Sequence, residues 1–165
     1  YPLPLSYCSD APLLLFYQGL TKFKARKIIS IVGTRQNTPH GKAFCEELIR
    51  CLRPYNPIIC SGLARGIDII EHHAALKHGL ETVAFLAHGL EFIYPKEHTA
   101  TAKKILTNGG IVVNIKFLDN GIHVVSKNSQ NLFIQINILL SYNILLKDGF
   151  NFKPCIIFQS IITLT

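Results

Sequence analysis

Ser61-Gly62-Leu63-Ala64-Arg65-Gly66-Ile67-Asp68 is the stretch from which the rest of the chain is read. Just before it, Pro57-Ile58-Ile59-Cys60 is a short apolar run rich in β-branching; just after it, a helical pattern runs through Ala75 and Leu76 to His78 and closes at Gly79. The pattern predicts a strand, a glycine turn and a helix. Such a junction points free backbone N–H groups and the positive end of a helix dipole at one spot, where an anion is well held. Arg65 adds a fixed positive charge there. On pattern alone, a tight turn with no ligand explains the loop equally well.

Working outward, Lys27-Ile28-Ile29-Ser30-Ile31-Val32-Gly33 reads as a buried parallel strand ending in a glycine turn, with Thr34-Arg35 at its carboxyl end. Thr38 is a good N-cap with Pro39 at the first helical position, and Phe44, Leu48, Cys51 and Leu52 are expected on the inward face of the helix that follows. Pro54 and Pro57 stop it. Thr82 to Leu86 is the next strand. After Gly89 and a Tyr94-Pro95 turn, a helix over about 97–108 should carry Ala102, Ile105 and Leu106 inward, with Gly109-Gly110 ending it and Ile111-Val112-Val113 opening a fourth strand. Strands alternating with helices of about three turns define an α/β fold, a parallel sheet with helices on both faces. Ligands of such sheets sit beyond the carboxyl ends of the strands. The loops at Gly33-Thr34-Arg35 and Ser61 to Gly66 both lie on that edge, and if their strands are neighbours the two arginines flank one crevice.

The two ends of the chain differ from this middle. Prolines in residues 1–22 predict a strap rather than a helix. The core is expected over 23–115, with Lys22, Lys24, Arg26 and Lys27 reading as a solvated linker before its first strand. The tail, 116–165, has only Asp119 and Asp148 as acids, no arginine, and a load of Ile, Asn, Leu and Phe. Ile134, Ile136, Ile138 and Leu140 alternate with Gln135 and Asn137 as in a strand, and 156–164 is another apolar β-type run. The sheet is therefore expected to be incomplete or irregular at its C-terminal part.

With 48% apolar and 16% charged residues among 165, the chain reads as one globular domain rather than a disordered one. Its formal charge of +7 favours an acidic partner such as nucleic acid. The five cysteines, at 8, 45, 51, 60 and 155, form no CxxC pair and no Cys/His metal spacing, so neither a metal site nor a disulfide framework is expected, and reduced thiols fit a cytoplasmic protein. No run of about 18 apolar residues and no signal peptide is visible, so no membrane association is expected. The chain has no methionine, which marks Tyr1 as other than the natural start.

These residues resemble the DNA-processing protein A family (DprA, also called Smf). The resemblance rests on Tyr1-Pro2 with the Pro12 to Gly19 segment, Val32-Gly33-Thr34-Arg35, the whole Ser61 to Asp68 string, His72 with Ala75-Leu76, Gly89-Leu90 followed by Tyr94-Pro95, and Asn108-Gly109-Gly110. It covers roughly residues 1–113. It implies an extended Rossmann-like domain that binds single-stranded DNA without base specificity, forms a homodimer, and loads a RecA-type recombinase during natural transformation, with no catalysis and no cofactor. Carried over, the phosphate pocket would use Gly33, Thr34 and Arg35 from one loop and Ser61, Gly62 and Arg65 from the other. The departures begin after the Gly-Gly strand. Family members continue with Ser-Glu, a proline-rich turn and a basic Phe-x-x-Arg-Asn-Arg segment; this chain has Val113-Asn114 and then the arginine-free tail. A tail translated out of frame would have this odd composition.

Other readings stand beside this one. A nucleotide-processing hydrolase on a related sheet would carry a Pro-Gly-Gly-x-Gly-Thr motif, which this sequence lacks. A non-functional remnant would fail to fold cooperatively. Asp68 and His72, four apart on one helical face, have the spacing of a carboxylate orienting a general base, but a structural hydrogen bond is the favoured reading because no nucleophile or ligand set accompanies them. Tyr94 and Phe92 are candidates for stacking on bases, with Phe92 expected in the core and Tyr94 fixing the turn.

Overall fold

The structure, a computed structural model, describes residues 14–22, 27–118, 121–124 and 161–164. The elements in chain order are β1 (Leu14–Gly19), β2 (Ile28–Gly33), α1 (Pro39–Leu52), β3 (Ile58–Ser61), α2 (Ile67–Lys77), β4 (Thr82–Leu86), α3 (Thr99–Asn108), β5 (Gly109–Leu118), β6 (Gly121–Val124) and β7 (Ile161–Leu164). Single 3₁₀ turns follow α1 at Arg53–Tyr55 and precede α3 at Lys96–His98. All described strands join one sheet, ordered β1-β5-β4-β3-β2-β7, with β6 paired to β5.

From β2 to β5 the chain steps along this sheet one neighbour at a time, and each pair is parallel. Right-handed crossovers taken in one direction must leave their helices on one face. Register places Ile29 beside Ile59, and Ala84 beside Ile111. That face packs on the helices in two clusters, one built from Ile31, Ile49, Leu52, Ile59, Ile67 and Leu80, the other from Leu63, Ala84, Leu86, Ala102, Ile105 and Ile111. On the opposite face Ile28, Val32, Ile58, Cys60, Val83 and Phe85 are buried too. The sheet is thus buried on both faces, as in a Rossmann-like fold, and among the described residues the helices pack on the first face. Each fully buried aliphatic side chain contributes roughly 1.5–3 kcal/mol, so this double-sided core dominates stability.

Local signals set several boundaries. Thr38 Oγ1 accepts from Gly41 N–H at 3.1 Å and caps α1, with Pro39 in the first turn. The inward face of α1 is Gly41, Cys45, Leu48, Ile49 and Leu52: Leu48 and Leu52 are buried as expected, but Phe44 is exposed and Cys51 only partly covered. Ala102 and Ile105 are buried on α3 as expected, and Leu106 partly so.

Two elements join the sheet through long-range pairing. β1, within the segment expected to be a strap, runs antiparallel to β5, from Leu14 beside Ile115 to Gly19 beside Gly110. Gly109-Gly110, expected only to end a helix, opens β5, because a Cβ at Gly109 would strike the Thr82 carbonyl and one at Gly110 the ring of Tyr17. β7, from the far end of the apolar tail, runs parallel to β2 and sets Leu164 beside Gly33. The strand expected around 134–140 lies outside the described residues.

Two buried serines are paired within this core. Ser30 Oγ donates to the Cys60 carbonyl at 3.2 Å and Ser61 Oγ to the Ile31 carbonyl at 2.6 Å. Glu71, like the Thr21 hydroxyl, is not so paired. It is fully buried, its carboxyl oxygens meet no hydrogen-bond partner among the described residues, and Oε1 lies 3.2 Å from His72 Nδ1. Burial, with the Asp68 charge nearby, pushes its carboxyl well above the usual carboxylate range, while burial holds the His72 imidazole down at about 4. Burial thus works against the charged form of both partners, and so against an ion pair at this contact.

The two groups act on stability in opposite pH directions. The raised Glu71 favours the folded state fully below its unfolded value of about 4.3 and loses that contribution as pH climbs. The depressed His72 contributes above about 6.5 and loses it as pH falls toward 4, a difference on the order of 3 kcal/mol. Glu71→Gln should therefore raise the thermal midpoint at pH 8 and leave it nearly unchanged at pH 4, read from melts across that range. An equal gain at both values would assign the effect to packing.

Candidate functional site

The carboxyl ends of β2 and β3 are adjacent, and their two loops touch. Gly66, at φ 83°, is the residue before α2 and lies directly on the backbone of Thr34 and Arg35. A Cβ there would collide with the Thr34 carbonyl oxygen, in a backbone region that already disfavours L side chains. The first amide of α2, Ile67 N–H, donates to the same Thr34 carbonyl at 3.1 Å. The two arginine-bearing loops are thus one unit.

Asp68, in the first turn of α2, stitches that unit from inside. Its buried carboxylate lies close to the backbones of Ala64 and Gly33 and to the Ser61 hydroxyl, polar groups that favour its charged form. Desolvation pushes this carboxyl up from its ordinary value, while those groups and the Arg35 charge pull it back. Gly62 has no Cβ because an Asp68 oxygen stands 2.5 Å from where one would be. The backbone that the sequence pattern offers to an outside anion thus lies in part against a carboxylate of the chain's own.

Each expected site residue can now be placed. Ser61 and Gly62 are buried, the serine hydroxyl bonded to Ile31 and the glycine carbonyl accepting from His72 Nε2 at 2.6 Å. Gly33 and Thr34 are half-buried, and Thr34 Oγ1 accepts from Gln36 N–H at 3.1 Å. Arg35 and Arg65 are exposed. Arg65 Nε donates to Glu97 Oε1 at 2.7 Å, which raises the guanidinium's pKa and lowers the carboxyl's. Both side chains of that pair are more than half exposed, at 63% and 52%, so solvent screens it and it exchanges readily.

Asp68 and His72 do not pair. His72 Nδ1 meets Thr82 Oγ1 at 2.6 Å and Nε2 bonds the Gly62 carbonyl, so both ring nitrogens are committed to structure; the structural role expected holds, without the hydrogen bond expected between the pair. Sequence reasoning missed Glu97 and His98. His98 is buried and its Nδ1 bonds the Leu63 carbonyl at 2.7 Å, clamping the turn before α3 onto the 61–66 loop. The signal was present as Lys96-Glu97-His98 directly after Tyr94-Pro95. Phe92, expected in the core, is 56% exposed.

A sheet of this order, with glycine loops meeting at its carboxyl edge, is that of a Rossmann-like α/β protein. The chain matches the family described as DNA recombination-mediator protein A over residues 1–132, and it belongs to that family. It is 41% identical over 96 residues to DNA processing protein DprA of Streptococcus pneumoniae, covering 58% of this chain and 34% of that protein. Over 114 residues it is 33% identical to Protein Smf of Escherichia coli, covering 69% and 30%. The chain thus spans about a third of the curated relatives it matches. Among solved structures, DprA of S. pneumoniae superposes with a TM-score of 0.67 at 31% identity, over 86% of this chain and 47% of the other. A structure of the Helicobacter pylori protein, described for its unique single-stranded DNA binding mode, gives 0.67 at 26% identity, over 87% and 63%.

The fused loops predict a stability effect. Gly66→Ala should cost at least about 2 kcal/mol in urea unfolding, from the left-handed backbone and the collision with Thr34 together. Gly79→Ala is the control: it also has a positive φ, 72°, but open space around its Cβ, so it should cost less.

Proposed function

We propose that this chain holds single-stranded DNA by its sugar-phosphate backbone, without reading bases, as the core of a mediator that passes the strand to a RecA-type recombinase in DNA uptake. The observation that carries this is the fusion of the two loops, which keeps the exposed Arg35 and Arg65 on one edge of the sheet. A guanidinium donates two bonds at once to a phosphate, and the chain's net charge of +7 draws a polyanion toward it. The relative from H. pylori described for single-stranded DNA binding supports the ligand, and membership of the recombination-mediator family supports the partner.

In this reading the six residues of the two loops divide the work. Arg35 and Arg65 meet phosphates, with Gly33 and Thr34 forming the floor between them. Ser61 and Gly62 shape the floor from below, since their polar atoms already bond Ile31 and His72. The activity is binding rather than catalysis, and His72, with both nitrogens occupied, is not a general base. The protein works in the cytoplasm, where RecA-type partners and reduced cysteines belong, and a homodimer would place two such edges on one strand.

Glu97 gives the pocket a closed state, because a phosphate must displace it from Arg65. Arg35→Ala and Arg65→Ala should each weaken binding of a fluorescent single strand several-fold in anisotropy titrations, and each should reduce the salt slope, log Kd against log salt, by about 0.7. Glu97→Gln should strengthen binding a few-fold at low salt and by less at high salt. Unchanged affinity in both arginine variants would remove the pocket.

A further inference from the structure

Beside the fused loops, the segment between β4 and α3 carries aromatic surface of a kind a core would bury. Phe92 is 56% and Tyr94 65% exposed. Neither is loose. The Phe92 ring stacks on His88, centroids 4.7 Å apart and planes 19° from parallel. His88 is itself fixed at both nitrogens: Nδ1 bonds the Gly89 carbonyl at 2.8 Å, and Nε2 accepts from Tyr94 N–H at 3.3 Å. That pattern needs the neutral ring with its proton on Nδ1, and it ties both aromatics to one support.

The segment is tied in turn to the phosphate loops. His98 bonds Leu63, Glu97 bonds Arg65, and Tyr94 lies near enough to Arg65 to bear on its charge. A rigid aromatic face at the same sheet edge as two exposed guanidinium groups is the combination that single-stranded nucleic acid requires. Every base has a π-face, and a side chain held in place beforehand loses little entropy on stacking.

We propose that Phe92, backed by His88 and flanked by Tyr94, is a stacking platform for one unpaired base of the strand whose phosphates lie at Arg35 and Arg65. This rests on the phosphate-holding role given above and adds to it a contact with the base. Stacking of this kind tolerates any base, so the platform strengthens binding without imposing sequence, and it excludes duplex DNA, whose bases are already stacked on one another.

The test compares an oligo-dT with an abasic strand of equal phosphate number, each titrated by anisotropy against the intact chain. Phe92→Ala should weaken binding of oligo-dT about tenfold and leave the abasic strand unchanged, whereas Arg35→Ala should weaken both. Because the chain has no tryptophan, Phe92→Trp introduces a single reporter: its fluorescence should be quenched by oligo-dT and not by the abasic strand, and affinity should be retained. Equal binding of oligo-dT by wild type and Phe92→Ala overturns the platform while leaving the phosphate site standing. Equal losses on both strands, with an unchanged melt, overturn it by showing that Phe92 supports the loops. A changed sedimentation coefficient without any base-dependent loss overturns it in favour of a contact between copies. If wild type binds neither strand, the phosphate site fails and the platform with it.

Discussion

The carboxylate of Asp68 is the contact on which the edge of this sheet depends. It sits buried in the first turn of α2, close to backbone groups that follow both β2 and β3. A charge in that position would be costly without partners, and those groups make the burial tolerable. Once it is there, the spacing of the surrounding residues follows. Position 62 must lack a side chain because the carboxylate occupies that volume, and position 66 must lack one because the loop it draws in brings the Thr34 carbonyl against it. Ser61 supplies a hydroxyl where the strand ends. Ser61 to Asp68 is thus a joint between strands as much as a cradle for a ligand.

This inverts part of the usual argument about glycine turns at helix N-termini. The dipole and the free amides exist, but the Thr34 carbonyl takes the first amide of α2 and the Asp68 carboxylate lies close to the backbone of the loop. What remains for an outside phosphate is at the surface: two guanidinium groups on a rigid base, one of them occupied by Glu97. Binding by such groups is electrostatic and salt-sensitive, and its geometry is inherited from the joint beneath. The turn before α3 is part of the same assembly, since His98 and Glu97 fasten it to the 61–66 loop.

The parts legible in the sequence were those with local causes. Apolar β-branched runs ending in glycine located β2 and β3; Thr38-Pro39 located the start of α1; Asp68 and His72 read correctly as structural. What stayed hidden depends on pairing across distance. Nothing within residues 14–19 says that they will lie against 110–115, or that 161–164 will reach β2, because a strand's partner is fixed by the whole sheet. Phe44 was misplaced because an apolar residue one step off a helix's centre line looks the same in sequence as one on it. Glu97 and Phe92 were misjudged for a related reason: exposure and pairing in a long connection are set by what that connection is fastened to, and the fastening residue, His98, is spaced 35 positions from Leu63.

Hydrogen exchange at the Ala64 amide, in wild type and in Asp68→Ala, measures the joint most directly. If the carboxylate holds the two loops together, Ala64 should be protected in the native protein and should lose that protection in the variant by more than the amides of β3 and β4 lose theirs. Protection at Ala64 that falls only in step with those strands would show that the loops are held without Asp68, and the account built on it would be wrong.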